Sequence, residues 1–397
     1  MAGTTETVGY VGITGGWRTP TDGSAQIRHV NEQFEAVDPD SIAYVRRAGG
    51  WDQFTVDENY KVEWVEDDIF KPTIPLSSTA MGTTGDPTFE NNDSYRLTIG
   101  DVLQIDDEKM LITALPASTA TGNTATVRRG AFGTTAATHA ASSTIHILMP
   151  ARAEGSDSPF AGRPNRTFLY NYFQFVDQGW QMSEQYSNLR EYGDKGRKKL
   201  AQDRARATKK LAVAAEKQLL LGTRYIGVDP EPSTVGGLFE YITSAYGAYR
   251  TSLSGDKMVE ANLHTGIRYL ADQVGVENIA RTFVGRFYQK QRFTSFFEGR
   301  VRTELGTHTG GLRIDNIDTD LGNFEFVMLY NWPGDRLGLI DFDKIEIGHW
   351  AGMGWSEKRL AESGRYLKYT RSAVISQIVH NPQVHGLWTN LGYDGVA

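Results

Sequence analysis

The sequence predicts an α+β fold, and three observations carry the prediction. A proline-free, alanine-rich segment ending at Gly222 has the length and periodicity of one long helix. Two aromatic runs, at residues 60–75 and 166–182, have strand patterning and bracket a small all-β unit. From 225 to 345, helical and strand-like runs alternate, as in a mixed α/β layer.

The chain has 397 residues, a net charge of −7 and 40% hydrophobic residues. That length supports about two to three domains with an ample core. There is no cysteine, which excludes disulfides, thiolate metal sites and cysteine nucleophiles. The opening "MAGTTETVGYVGITGG" lacks the basic and apolar regions of a signal peptide. No run of about 18 apolar residues occurs, so no transmembrane helix is expected. The acidic balance argues against a dedicated nucleic-acid binder, while leaving room for a local basic face.

Residues 1–55 are Gly- and Thr-rich with little periodicity and read as an extended arm. Its end, "IAYVRRAGGWDQF", has room for one short element, and Ile42, Tyr44, Val45 and Trp51 need a place to be buried. Residues 56–185 read as a long two-stranded hairpin. Its strands are "YKVEWVEDDIFKPTIP" and "RTFLYNYFQFVDQGWQM", and it carries a β-insert over about 85–155. A lone hairpin of this kind is marginal in water and needs a chain to rest on.

Residues 186–235 hold the long helix. At 1.5 Å per residue, a helix from Leu189 to Leu221 is about 50 Å long. Ala201, Ala205, Thr208, Ala212, Ala215 and Leu219 share one face, small enough to lie close against a sheet. From 188 to 221 there are ten basic residues and four acidic ones. Such a run is either a solvated charged face or a surface turned to a polyanion. Residues 236–345 follow as a mixed α/β domain. "GGLFEYI", "MVEANLHTGIRYLADQVG" and "FYQKQRFTSFFEGR" read as helical, and "ARTFVG", "LRIDNIDTD", "FEFVMLYNW" and "RLGLIDFDKIEIG" as strands. Residues 346–397 give one long strand and a tail.

Catalytic signatures were sought and are missing. "RRGAFGTTAATHA" (128–140) has neither Walker nor dinucleotide-fingerprint spacing and reads as a turn of small residues. "DNIDTDLGN" (315–323) does not fit an EF-hand loop and reads as a turn between strands. Ser254 and Lys257 match Ser-x-x-Lys without the accompanying Lys-Thr-Gly. His380 and His385 read as structural histidines. No catalytic, cofactor or metal residue is assigned.

The order of these parts resembles the major capsid proteins of tailed double-stranded-DNA phages, with their HK-ninety-seven-type capsid fold. More narrowly, it resembles the SU-ten-type major head protein family. The passages that carry the resemblance are "RRGAFGTTAATHA" with "ARAEGSDSP", "NYFQFVDQGWQMS", "AAEKQLLLG" with "VGGLFEYI", and "TDLGNFEFVMLYNWPGDRLGLIDFDKIEI". Together they cover most of the chain from about residue 55.

The resemblance implies an N-terminal arm, an extended loop lying across a neighbouring subunit, a spine helix in a peripheral domain, an axial domain over 236–345, and a C-terminal return to the peripheral domain. It implies self-assembly into hexamers and pentamers of an icosahedral head, in the host cytoplasm, with no cofactor and no membrane. The implied partners are further copies, a separate scaffolding protein, a portal, a decoration or minor capsid protein, and packaged DNA held by nonspecific electrostatics. Lys198, Lys199, Arg204, Arg206, Lys209 and Lys210 are the residues expected to face DNA or the acidic edges of adjacent subunits. Some relatives crosslink a lysine to an asparagine. Lys61 and Lys71 lie on the loop, but nothing in the sequence marks an acceptor. Two rival readings are a bacterial nanocompartment shell of the same fold and a carbohydrate-binding, tail-associated β-protein.

Overall fold

The computed structural model describes residues 42–57, 59–67, 72–76, 81–82, 88–91, 96–115, 123–152, 154–155, 166–187, 199–228, 231–297, 316–319, 321–361 and 364–392. The chain opens with a short helix α1 (Ala43–Arg47) and a two-residue strand β1 (Thr55–Val56). β2 (Lys61–Asp67) leads to β3 (Thr73–Pro75), β4 (Thr88–Asn91), β5 (Val102–Ile105), β6 (Glu108–Ala114), β7 (Asn123–Arg128) and β8 (Thr144–Ile147). β9 (Arg166–Tyr172) and β10 (Gln174–Ser183) follow, then α2 (Glu184–Ser187) and the long α3 (Lys199–Leu221). Next come α4 (Leu238–Tyr241), β11 (Tyr249–Ser252), α5 (Glu260–Val274), β12 (Thr282–Gly285) and α6 (Phe287–Phe297). β13 (Asn316–Thr319), β14 (Gly322–Met328), β15 (Leu337–Ile340), β16 (Ile345–Trp350), β17 (Ser356–Arg359), β18 (Tyr366–Val379) and β19 (Gly386–Thr389) complete the order.

Three cores organise these elements. The first lies around the sheet β1-β16-β18-β10, with β17 also paired to β18. Helix α3 packs across β10 and β18. Leu211, Ala215 and Leu219, four residues apart, turn one stripe of α3 inward. Ala215 and Leu219 join Tyr44, Trp64, Phe173, Tyr241 and Ile375. The second core lies under the sheet β11-β19-β15-β12-β14-β13, covered by α5 and α6. In α5 the buried Leu263, Ile267, Leu270 and Val274 share a face, and Gly275 at φ 81° ends the helix in a conformation other residues resist. The third belongs to the insert sheet β3-β8-β5-β6-β7-β4 alone, with Leu103, Ile105, Met110, Ile112 and Ile145 at its centre. The hairpin β2–β9, in register from Lys61↔Tyr172 to Asp67↔Arg166, joins the insert to the body.

The sheets revise several sequence expectations. The run 166–182 is not one strand paired with 60–75. It changes sheets at Phe173: β9 pairs β2, while β10 pairs β18 from Gln174↔Ile375 to Ser183↔Tyr366. Phe173 is buried and packs edge-on to Trp350 at 5.3 Å, which pins the crossover. The insert sheet begins upstream of residue 85, because β3 pairs β8. "RLGLIDFDKIEIG" is two strands in two sheets. A 3-10 turn at Phe342–Lys344, capped by the Asp341 side chain accepting from Asp343 N–H, redirects the chain. The C-terminal segment is shared between two sheets: β18 lies in the first, while β19 enters the sheet of the second core between β11 and β15, where the buried Trp388 fills the core beside α5.

Two further expectations concern turns and the helix face. "DNIDTDLGN" contributes β13 and the start of β14, which pair antiparallel up to Thr319↔Gly322. Asp318 sits within β13, and Asp315 and Asp320 lie outside the described residues. The small face of the helix is buried only in its second half. Ala215 is buried and Ala212 half-buried, but Ala205 is exposed, because the stripe covered by the sheet runs through Leu211 rather than Ala205.

Candidate functional site

The basic residues of α3 divide between two sides of the helix. Lys198 lies outside the described residues, and Lys199 is the first residue of the helix. Arg206 and Lys210 are exposed, and with the exposed Lys217 their spacing of four and seven puts them on one outward side. Arg206 reaches back one turn to Asp203 at 3.9 Å. Lys209 is half-buried. Arg204 instead points to the sheet side, with Nε 2.5 Å from the Glu357 carboxylate on β17. Beside it, Arg371 on β18 donates to the Thr208 hydroxyl at 3.2 Å.

At the C-terminal end of α3 a buried polar cluster ties four segments together. The Asn171 amide on β9 donates to Gly236 O at 3.1 Å and Gln377 O at 2.8 Å, while its oxygen accepts from Gly236 N–H at 2.8 Å. The Gln377 amide on β18 donates to Leu219 O at 2.8 Å and Gly236 O at 3.0 Å, and its oxygen accepts from Tyr44 Oη at 3.2 Å. Glu216, also buried, accepts from Val45 N–H of α1 at 3.3 Å and from the Asn331 amide at 2.9 Å. Burial, reinforced by the Glu216 charge, holds the Tyr44 phenol protonated far above its ordinary range. The arm, hairpin base, helix and returning strand therefore meet at one set of hydrogen-bonded polar groups. Such a network specifies a single arrangement, since any displaced member leaves a partner unpaired in the core.

The hairpin is held to the body mainly on its inner side, with one contact on the outer side at Tyr170. Trp64 packs on Tyr241 at 5.6 Å, and the Arg224 guanidinium lies 4.1 Å over the Tyr170 ring while donating to Tyr170 O at 2.8 Å. Glu66 accepts from Asn381 N–H at 3.1 Å and faces His380 at 3.7 Å, whose other nitrogen is 3.4 Å from Glu346. The hydrogen bond to Glu66, helped by Glu346 and opposed by burial, raises the His380 pKa. His385, fully buried, is pushed the other way, down to about 3, by burial and by Lys344. It accepts Asp341 N–H through Nδ1 at 3.2 Å and is neutral. Both histidines serve the fold. Lys61 pairs with Glu63 and lies 4.2 Å over the Tyr170 ring, and Lys71 is outside the described residues.

The motif read as a turn, 128–140, is wound around a carboxylate. The Glu108 side chain is completely buried. It accepts from Arg129 Nε and Nη2 at 2.9 and 2.7 Å, from Gly130 N–H at 3.1 Å and Ala137 N–H at 3.0 Å, and its Oε2 lies 2.8 Å from His139 Nε2. Burial alone raises a carboxyl pKa, but these donors outweigh it and bring Glu108 down to about 2. Arg129 also donates to Gly82 O and Ala137 O. A side chain at Gly130, φ 58°, would press within 2.9 Å of Thr134 O, so the turn needs glycine there.

Sequence reasoning missed Asn171, Gln377, Glu216 and Glu108. For Asn171 the signal was present: Leu169, Asn171 and Phe173 alternate inward along one strand, so the amide had to be buried.

The sequence matches the model of the family described as SU10 major capsid protein over residues 12–392. No curated protein matches the chain. Among solved structures, the capsid of a native GTA particle is similar at a TM-score of 0.52 and 10% identity, covering 94% of this chain and 97% of that one. The capsid of cyanophage A-1(L) aligns at 0.48 and 10% identity, over 62% of this chain and 85% of the other. Mycobacterium phage Adephagia aligns at 0.48 and 9% identity, over 94% and 97%.

Proposed function

This chain belongs to the SU10 major capsid protein family, and from that premise we propose that its β2–β9 hairpin covers a neighbouring copy in the head shell. The observation that carries this reading is the outward side of the hairpin. Val65 and Phe168 lie directly opposite each other in register and are 48% and 68% exposed. Among the described residues, the chain's own body takes the inner side through Trp64, Leu169 and Asn171, and on the outward side Arg224 covers Tyr170 but leaves Val65 and Phe168 open. A two-stranded ribbon with an apolar pair open to water is marginal alone and gains stability when that face is covered. In a shell built from copies, the next subunit is the surface always at hand.

The rest of the reading follows from the same premise. The copies form hexamers and pentamers in the host cytoplasm, with a separate scaffolding protein, a portal and a decoration or minor capsid protein as partners. The basic residues of this stretch, Lys198, Lys199, Arg206, Lys209 and Lys210, meet packaged DNA or acidic edges of adjacent subunits. Such contact is independent of base sequence and weakens with salt. Arg204, engaged with Glu357, serves the fold instead.

The test is expression of the full chain, alone and with the candidate scaffolding protein, followed by size-exclusion and negative-stain microscopy. Closed shells, tubes or ring-shaped capsomers are expected. Phe168→Glu should abolish them while the subunit still melts as the unmodified chain does. A strictly monomeric protein under every condition overturns the reading.

A further inference from the structure

The insert presents two apolar features that its own fold does not use. The first is Phe132, at the tip of the loop wound around Glu108. It is 54% exposed and held at φ 57°, ψ 34°, a left-handed conformation that a bulky aromatic resists. Gly130 and Gly133 on either side are left-handed too. The loop is rigid from beneath. Besides the Glu108 cluster, Thr134 donates to Ala131 O at 2.8 Å and its hydroxyl accepts from Lys109 N–H at 3.1 Å. Glycine at 132 would relieve the backbone, so an exposed phenylalanine there is a cost to the isolated fold. Strain of this kind persists where the surroundings over-determine it, and it collects at sites of contact.

The second feature lies at the other end of β5. Ile99, Leu148 and Met149 are exposed, Met149 at 87%. Their backbone segments run side by side, Leu148 N–H donating to Val102 O at 2.7 Å and Ala151 N–H to Gly100 O at 2.9 Å. The Phe132 loop is fixed at the β5–β6 turn, where Asp106 and Glu108 meet His139. One rigid module thus carries a pre-organised aromatic at one end and an apolar patch at the other. The insert has a separate core and joins the body through the hairpin.

We propose that the inserts of neighbouring copies contact head to tail, Phe132 of one seated against the Ile99–Leu148–Met149 patch of the next. The inference rests on the shell-subunit reading above. Complementary features at opposite ends of one module make a heterologous contact, the type that closes into rings when repeated by rotation. A rigid aromatic on a pre-ordered loop loses little freedom on binding, which suits it to anchor such a contact.

The chain has no cysteine, so introduced thiols report this contact cleanly. Thr135, exposed beside the tip, and Met149 are replaced together (Thr135→Cys with Met149→Cys), and assembled particles are oxidised and run without reductant. A ladder of covalently linked copies is expected from the double variant, and none from either single variant. Separately, Phe132→Gly and Phe132→Ala should each lower shell yield about tenfold, the loss typical of a removed interface anchor. The melting temperature of the unassembled Phe132→Gly subunit should not fall.

Shells at full yield from both Phe132 variants overturn the proposal. So does a ladder absent from well-formed shells, or linkage to a different protein. Dimers from Thr135→Cys alone would mean tip-to-tip contact and overturn it equally. If the unmodified chain forms no shells, the shell-subunit reading fails first and this inference falls with it, which the unmodified control makes visible.

Discussion

Replacing Glu108 with alanine removes the carboxylate that organises the 129–139 loop. Five donor contacts at 2.7–3.1 Å converge on it, and the Arg129 side chain left behind is only 9% exposed. Breaking a buried pair by deleting one partner costs about 3–5 kcal/mol, because the remaining charge loses its counter-charge inside the fold. The shifted acidity gives a comparable figure: a carboxyl moved from 4.5 to about 2 corresponds to about 3 kcal/mol of preference for the charged, bonded form. An insert of this size has on the order of 4–12 kcal/mol in total, so the substitution removes a large share of it.

The assay is hydrogen exchange on the full chain, comparing amides of β5–β8 with those of α3 and β18. The variant should lose protection in the insert and keep it in the body, because the two have separate cores. Acidification should mimic the substitution. The folded carboxyl is the stronger acid, so its contribution is complete above about pH 4.5 and fades as pH falls toward 2. An insert stable to within about 1 kcal/mol after Glu108→Ala, or equal loss of protection in α3, would refute the reasoning.

Two other predictions concern the long helix and the buried His385. Changing Lys199, Arg206, Lys209 and Lys210 together to glutamate should cut genome-filled particles by about tenfold or more, as expected when several phosphate contacts are reversed, whereas Arg204→Ala should leave DNA content alone; wild-type genome content in the quadruple variant sinks the polyanion reading. His385 is buried neutral with its pKa near 3, so the unfolded chain takes up the proton first as pH falls below about 6.5. Between pH 7 and 5 this should cost the fold about 2 kcal/mol, seen as a lower urea midpoint that His385→Gln flattens; an unchanged slope in that variant would place the pH dependence elsewhere.

The parts of the fold readable in sequence were those set by local periodicity. Helix α3 follows from small and apolar residues at helical spacing without proline, and α5 from Leu263, Ile267, Leu270 and Val274 ending at Gly275. What escaped were changes of partner within a continuous pattern. Phe173 looks like one more strand residue between Tyr172 and Gln174, yet the chain crosses between sheets there, and only the distant Trp350 accounts for it. The polar cluster was hidden for the same reason: the partners of Asn171 lie 65 and 206 residues away. In "RRGAFGTTAATHA" the visible Arg129 and His139 looked like turn residues because the carboxylate they share stands upstream, at Glu108. The basic run showed its charge but not its division. Only the path of β17 reveals that Arg204 belongs to the sheet side.

The insert leaves and rejoins the hairpin at adjacent points. Asp67 and Arg166 face each other as the last registered pair of β2 and β9, bridged at 2.9 Å. A two-residue turn is enough to join them directly. Everything from one to the other is therefore attached as a cassette, and a short link in its place, or a foreign domain whose ends lie close together, should leave the body's fold intact. A lineage that swaps this cassette alters what its particles present at the hairpin tip while inheriting an untouched frame.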